Sequence, residues 1–150
     1  MYVSIFPANA PFSANCTLLL ELAMGIALVF GAWLARCQRY PQHAWCQSLV
    51  VLLNAVVIAI AMVPPFDTRV VPKIPGKLGY SFYALATAHA IVASAAEAAA
   101  LYLLLAAGTK ALPERLRLTN FKRTMRSALA LWWLAILLGG ATYVRWYGPR

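Results

Sequence analysis

Residues 86 to 107 read "ATAHAIVASAAEAAALYLLLAA". At about 1.5 Å per residue this stretch is long enough to cross a ~30 Å hydrocarbon layer as a helix. It nevertheless holds a histidine, His89, and a glutamate, Glu97. An ionisable side chain at such depth costs roughly 2.5–3.5 kcal/mol on insertion scales, so it faces protein or water and often marks function. What those two residues meet decides how the chain folds and what it does.

The rest of the chain is built the same way. Of 150 residues, 63% are hydrophobic and 11% charged, with a mean hydropathy of +0.70. Soluble domains hold about 45–50% apolar and about 25% charged residues. The expected fold class is all-α: an integral membrane four-helix bundle formed by a single transmembrane domain over residues 1–150, with spans at about 15–35, 44–63, 80–107 and 127–147. Helices are required because the alternating pattern of a closed barrel is missing. Pro41 in "RCQRYPQH", the four prolines of "PPFDTRVVPKIPGKLG", and Gly108 with Pro113 in "GTKALPERLRLTNFKRTMR" read as loops that end the spans. The start, "MYVSIFPANAPFS", lacks the basic region of a cleavable signal, so the first span is expected to be retained.

The net charge of +9 comes from 13 Lys and Arg against 4 Asp and Glu. The basic residues fall in the connections, where they set topology and meet anionic headgroups, and no basic stripe with interleaved aromatics points to nucleic acid. Arg36, Arg39, Lys110, Arg115, Arg117, Lys122, Arg123 and Arg126 lie on one side; Arg69, Lys73, Lys77, Arg145 and Arg150 lie on the other. The richer side is cytoplasmic under the positive-inside bias, which puts both termini on the outer, periplasmic side of a bacterial inner membrane. Trp33, Tyr40, Trp45, Tyr80, Phe82, Tyr83, Tyr143, Trp146 and Tyr147 flank the spans and read as interface anchors.

Four polar residues fall inside the spans: Glu21, Asn54, His89 and Glu97. Glu21 lies roughly 9 Å and His89 roughly 13 Å below the outer end of their spans, near enough in depth to pair. Asn54 and Glu97 each lie roughly 15 Å from the cytoplasmic side and form a second candidate pair. His89 and Glu97 are about 80° and about 12 Å apart on one helix, so they cannot share a ligand atom. Glu97 is expected to be neutral and hydrogen-bonded across to Asn54, and His89 to be neutral with Glu21 or a backbone carbonyl as partner. Ala86, Ala90, Ser94 and Ala98 repeat every four residues, a small-residue ridge that lets helices approach closely. The packing reading is favoured; a proton or cofactor role, with His89 as the candidate cofactor ligand, and contacts to a partner subunit stay open.

The three cysteines form no CxxC, and no catalytic signature appears. Cys37, His43 and Cys46 gather near the first cytoplasmic connection, and thiolate with imidazole suits copper or zinc, though C-x5-H-x2-C matches no strong metal pattern. The only histidines, His43 and His89, lie at different depths and cannot face each other as the two axial ligands of a haem. No cofactor is therefore expected, with haem or copper as the alternatives.

Four stretches carry a resemblance. They are "NAPFSANCTLLLELAMG" from Asn9, "HAWCQSLVVLLNAVV" from His43, "ALATAHAIVASAA" around His89, and "FKRTMRSALALWWLAILLGGATYVRWY" with Gly139 four residues before Tyr143. Together they resemble the YozB/CtaM-like family of small bacterial four-helix membrane proteins, a domain-of-unknown-function family linked to cytochrome c oxidase maturation. Members commonly open the last helix with His-Arg-Lys, whereas Phe121 precedes Lys122 and Arg123 here. The resemblance implies a non-catalytic accessory or assembly subunit of a membrane redox complex, related to a terminal oxidase. Its partners would be the lipid bilayer and the other subunits. Two alternatives are a permanent structural subunit of another respiratory or photosynthetic complex, and a small haem- or proton-handling protein using His89, Glu21 and Glu97.

Overall fold

A computed structural model describes residues 7, 10–108 and 120–148. Helix α1, Phe12–Arg36, follows Pro11, whose carbonyl accepts the amides of Ala14 and Asn15. It ends where Gln38 takes a left-handed φ of 59°; the Gln38 amide donates to Ala35 and the Arg39 amide to Leu34. These two bonds form a Schellman turn, with glutamine where glycine is usual. The turn reverses the chain within three residues.

Helix α2, Tyr40–Val57, then begins with Pro41 in its first turn, where a fixed φ and a missing N–H do no harm. His43 is thus a helical residue rather than part of a loop. The second span does not end at Val63, as its prolines imply. A π-helical turn, Ile58–Met62, leads into α3, Val63–Arg69, a 3-10 turn, Val71–Lys73, and α4, Ile74–Lys77. In the π-turn the Val63 amide reaches back to Ile58, one residue further than in an α-helix. That shift of register lets Pro64 follow without continuing the ladder into which its ring would clash. Pro64, Pro72 and Pro75 each stand at the first positions of a new helical segment, so proline here resets the helix instead of ending it.

Helix α5, Ser81–Gly108, matches the expected third span closely. Helix α6, Phe121–Tyr147, starts earlier than residue 127, so Lys122, Arg123 and Arg126 ride its first turns. Lys110, Pro113, Arg115, Arg117 and Arg150 lie outside the described residues.

Among the described residues, four helical runs are long and apolar enough to cross a membrane: Phe12–Arg36, Tyr40–Lys77, Ser81–Ala107 and Phe121–Tyr147. They close a ring in which α1 meets α2 and α6, while α5 meets α6 and α2. Neighbours run antiparallel, since the Tyr143 hydroxyl near the end of α6 donates to Asn15 near the start of α1, and Arg145 Nε donates to Ser81 Oγ at 3.0 Å at the start of α5. Met24, Leu28, Val50, Val51, Val57, Ala100, Trp132 and Ile136 form the core, drawing on all four helices. Leu19, Ile26, Phe30, Leu49, Leu52, Ile60 and Leu137 point outward, as a surface solvated by lipid would have them.

The small-residue ridge of α5 needs correction. Ala86 is buried, but Ser94 and Ala98 are exposed, and the packed small residues are Ala86, Ala96 and Ala100, with Ala93 half-buried. A strict four-residue repeat drifts about 40° around the helix at each step, because four residues turn 400°. From Ala86 to Ala98 that drift is about 120°, enough to carry the ridge off the buried face. The alternating three- and four-residue steps from Ala93 through Ala96 to Ala100 stay on it.

Candidate functional site

The polar side chains of α2 fasten it to α1. His43 Nδ1 lies 2.7 Å from the Gly31 carbonyl, Gln47 Nε2 donates to Leu28 O at 3.2 Å, and Cys46 Sγ to Ala27 O at 3.4 Å. Residues 43, 46 and 47 share one helical face, and Gly31 leaves room for it: a Cβ there would collide with Gln47 Nε2. The proposed metal group is therefore not assembled. Cys37 is exposed, His43 and Cys46 are bonded to α1, and no group of three His, Cys, Asp or Glu suited to a metal occurs among the described residues.

Deeper in the ring the polar residues of the long apolar helices come together. Asn54, on α2, donates from Nδ2 to Glu97 Oε2 on α5 at 2.8 Å. Both are buried, at 6% and 8% exposure. This is the pair expected from equal depth. His89 takes the backbone option: its Nδ1 lies 2.9 Å from the Ala135 carbonyl on α6. A carbonyl only accepts, so Nδ1 carries the proton and Nε2 keeps its lone pair in the neutral ring. The ring rests against Gly139, where an added Cβ would lie 3.0 Å from His89 Cε1.

Glu21 does not pair with His89 directly. Both line a cavity of about 10 Å³ together with Asn54, Ile58, Met62, Ala93, Ala96, Trp132 and Ala135. That volume is at the lower limit for one water and far below that of a haem or a substrate.

Three features escape a reading by residue type. Ala135 is silent in sequence because its role is its backbone carbonyl, and Gly139, marked there only by its spacing to Tyr143, gives no sign that its lack of bulk receives His89. The π-turn that supplies Ile58 and Met62 to the cavity was hidden by treating Pro64 as a terminus. Tyr143, read as an interface anchor, is buried at 9% exposure and bonded to Asn15, so it closes the end of the bundle.

Gly139→Ala tests this geometry. The added methyl should push the His89 ring off Ala135 and lower stability by about 1–3 kcal/mol, the usual cost of overpacking, whereas Gly140→Ala, with open space around it, should be neutral or slightly stabilising. Reversible unfolding of both variants in bicelles checks the difference.

Comparison with family models, with characterised proteins and with solved structures gives no match to this chain.

Proposed function

We propose that this protein is a non-catalytic accessory or assembly subunit of a membrane redox complex, related to a terminal oxidase, and a member of the YozB/CtaM-like family it resembles. One observation supports the docking role above others: the outward face of α5 is unlike those of its neighbours. Leu19, Leu22, Ile26 and Val29 project from α1, Leu49, Leu52 and Val56 from α2, and Leu134, Leu137 and Val144 from α6. On α5 the exposed residues include Ala84, Ser94, Ala95 and Ala98, with Ile91 and Leu105 as its exposed large hydrophobics. Lipid tails gain nothing from a small-residue face, whereas a second membrane helix gains close backbone approach from it. Inside the ring, space for about one water leaves no room for a substrate.

The residues behind the resemblance also hold the helices to one another. His43, Asn54, His89, Gly139 and Tyr143 all lie at interhelical contacts. They define a scaffold more than a reaction centre. In this reading the chain sits in a bacterial inner membrane with both termini outside, because the end of the bundle near Cys37 and Phe121 is richer in Lys and Arg.

Ser94→Leu with Ala98→Leu should leave the isolated bundle folded but lower the yield of oxidase that co-purifies with the protein from its native membranes about tenfold. Unchanged co-purification at equal expression would remove the docking face. Orientation is read through Cys37, which is exposed: an impermeant maleimide added to intact cells should miss it yet label Lys73→Cys, and the reverse pattern would invert the topology.

A further inference from the structure

The cavity at the centre of the ring is surrounded by acceptors. Glu21 Oε1, Asn54 Oδ1 and Glu97 Oε1 are buried with no hydrogen-bond partner among the described residues. His89 adds a fourth, because its Nδ1–H is spent on Ala135 and Nε2 has only a lone pair to offer. The titratable groups here are Glu21 from α1 and His89 and Glu97 from α5; α2 contributes Asn54, and α6 contributes Trp132 and the backbone of Ala135. Among the described residues, no lysine or arginine lines the cavity. Three of these acceptors, on Glu21, Asn54 and His89, line the cavity, with Glu97 behind Asn54, and the Trp132 indole N–H is one donor among them, too few to satisfy the set; buried polar groups left unpaired are costly. Whatever completes the set must bring hydrogens.

We propose that the cavity is a water-bridged proton site that links Glu21 on α1 to His89 on α5. Its volume of about 10 Å³ admits a single water. One proton and one water satisfy the three lining acceptors together: the protonated Glu21 carboxyl donates to the water oxygen, and the two water hydrogens go to Asn54 Oδ1 and His89 Nε2. Transfer is balanced. As Glu21 gives its proton to the water, the water gives a hydrogen to His89 Nε2, leaving a carboxylate, an imidazolium and an intact water. Asn54 holds the water in register and, through its amide, ties the site to Glu97 at 2.8 Å.

The wall of the cavity adds a separate indication. Ile58 and Met62, the two ends of the π-turn, both line it, and single π-turns inside α-helices occur often at functional sites. Here the widened turn opens the inner face of the second span at the depth of His89 and Glu21. This site goes beyond the accessory role proposed above and does not depend on the outer face of α5.

Having only two histidines allows a direct test. The full-length protein, with ¹⁵N-labelled histidine, is placed in phosphatidylcholine bicelles and titrated with acid while Nε2 is followed by NMR and the carboxyl stretch by infrared difference spectroscopy in H₂O and D₂O. The His89 Nε2 signal should move from unprotonated to protonated, and the same titration should alter a deuterium-sensitive carboxylic acid band. Glu21→Gln should remove that band and at least halve the His89 response, with His43 unaffected. Should Glu21→Gln fail to fold, the wild-type protein still decides. A His89 Nε2 signal that stays fixed while the carboxyl band titrates would overturn the bridge. Added sodium chloride reproducing the change at constant pH would mark a metal-cation site instead and overturn the proposal equally.

Discussion

An amide and a carboxyl that have left water have few ways to be satisfied, and in this bundle they satisfy each other. The seam between α2 and α5 is the sparsest of the four that close the ring. Across it runs the bond from Asn54 Nδ2 to Glu97 Oε2, at 2.8 Å and almost fully buried. The other seams have different fastenings. Gly31 and the carbonyls of α1 receive α2, Gly25 receives Ile136 and Trp133 of α6, and His89 of α5 meets α6 beside Gly139. Those three seams combine close packing with polar bonds of their own, His43 to Gly31, Tyr143 to Asn15 and His89 to Ala135. Across the sparser α2–α5 seam one buried bond between two side chains sets the register of the helices.

The same constraint explains how the polar residues are distributed. Two of the four acidic residues, Glu21 and Glu97, lie within helices long and apolar enough to cross a membrane, while Asp67 lies near one end of the bundle. Keeping two carboxyls in such a place is costly unless donors meet them. Asn54 supplies one donor to Glu97, and the water-sized cavity beside Glu21 and His89 supplies the space for others. Glu21, Asn54 and His89 therefore line one cavity, with Asn54 bonded onward to Glu97 and His89 to the backbone of α6.

Much of this was legible from residues alone. The four long apolar stretches gave the helices, and depth along each span singled out Asn54 as the partner of Glu97. Depth failed for Glu21 and His89 because it gives height and not azimuth. His89 turns toward α6, a helix with no side chain to advertise the contact, only the carbonyl of Ala135 and the bare Cα of Gly139. The ridge through Ser94 and Ala98 failed for a related reason, since spacing by four alone walks around the helix. Prolines misled because Pro41, Pro64, Pro72 and Pro75 begin helical segments rather than ending them. The cluster of Cys37, His43 and Cys46 was close in sequence, yet on a helix His43 and Cys46 face the α1 backbone while Cys37 lies in the turn before it.

The claim on which the rest depends is that Asn54 and Glu97 hold the ring closed by bonding to each other. A double-mutant cycle measures this directly: Asn54→Leu, Glu97→Leu and the double variant, each unfolded reversibly in bicelles. The expected coupling is about 1 kcal/mol, within the ~0.6–1.7 kcal/mol found for interhelical hydrogen bonds in membranes. Strict additivity, with each substitution costing the same whether or not the other is present, would contradict it.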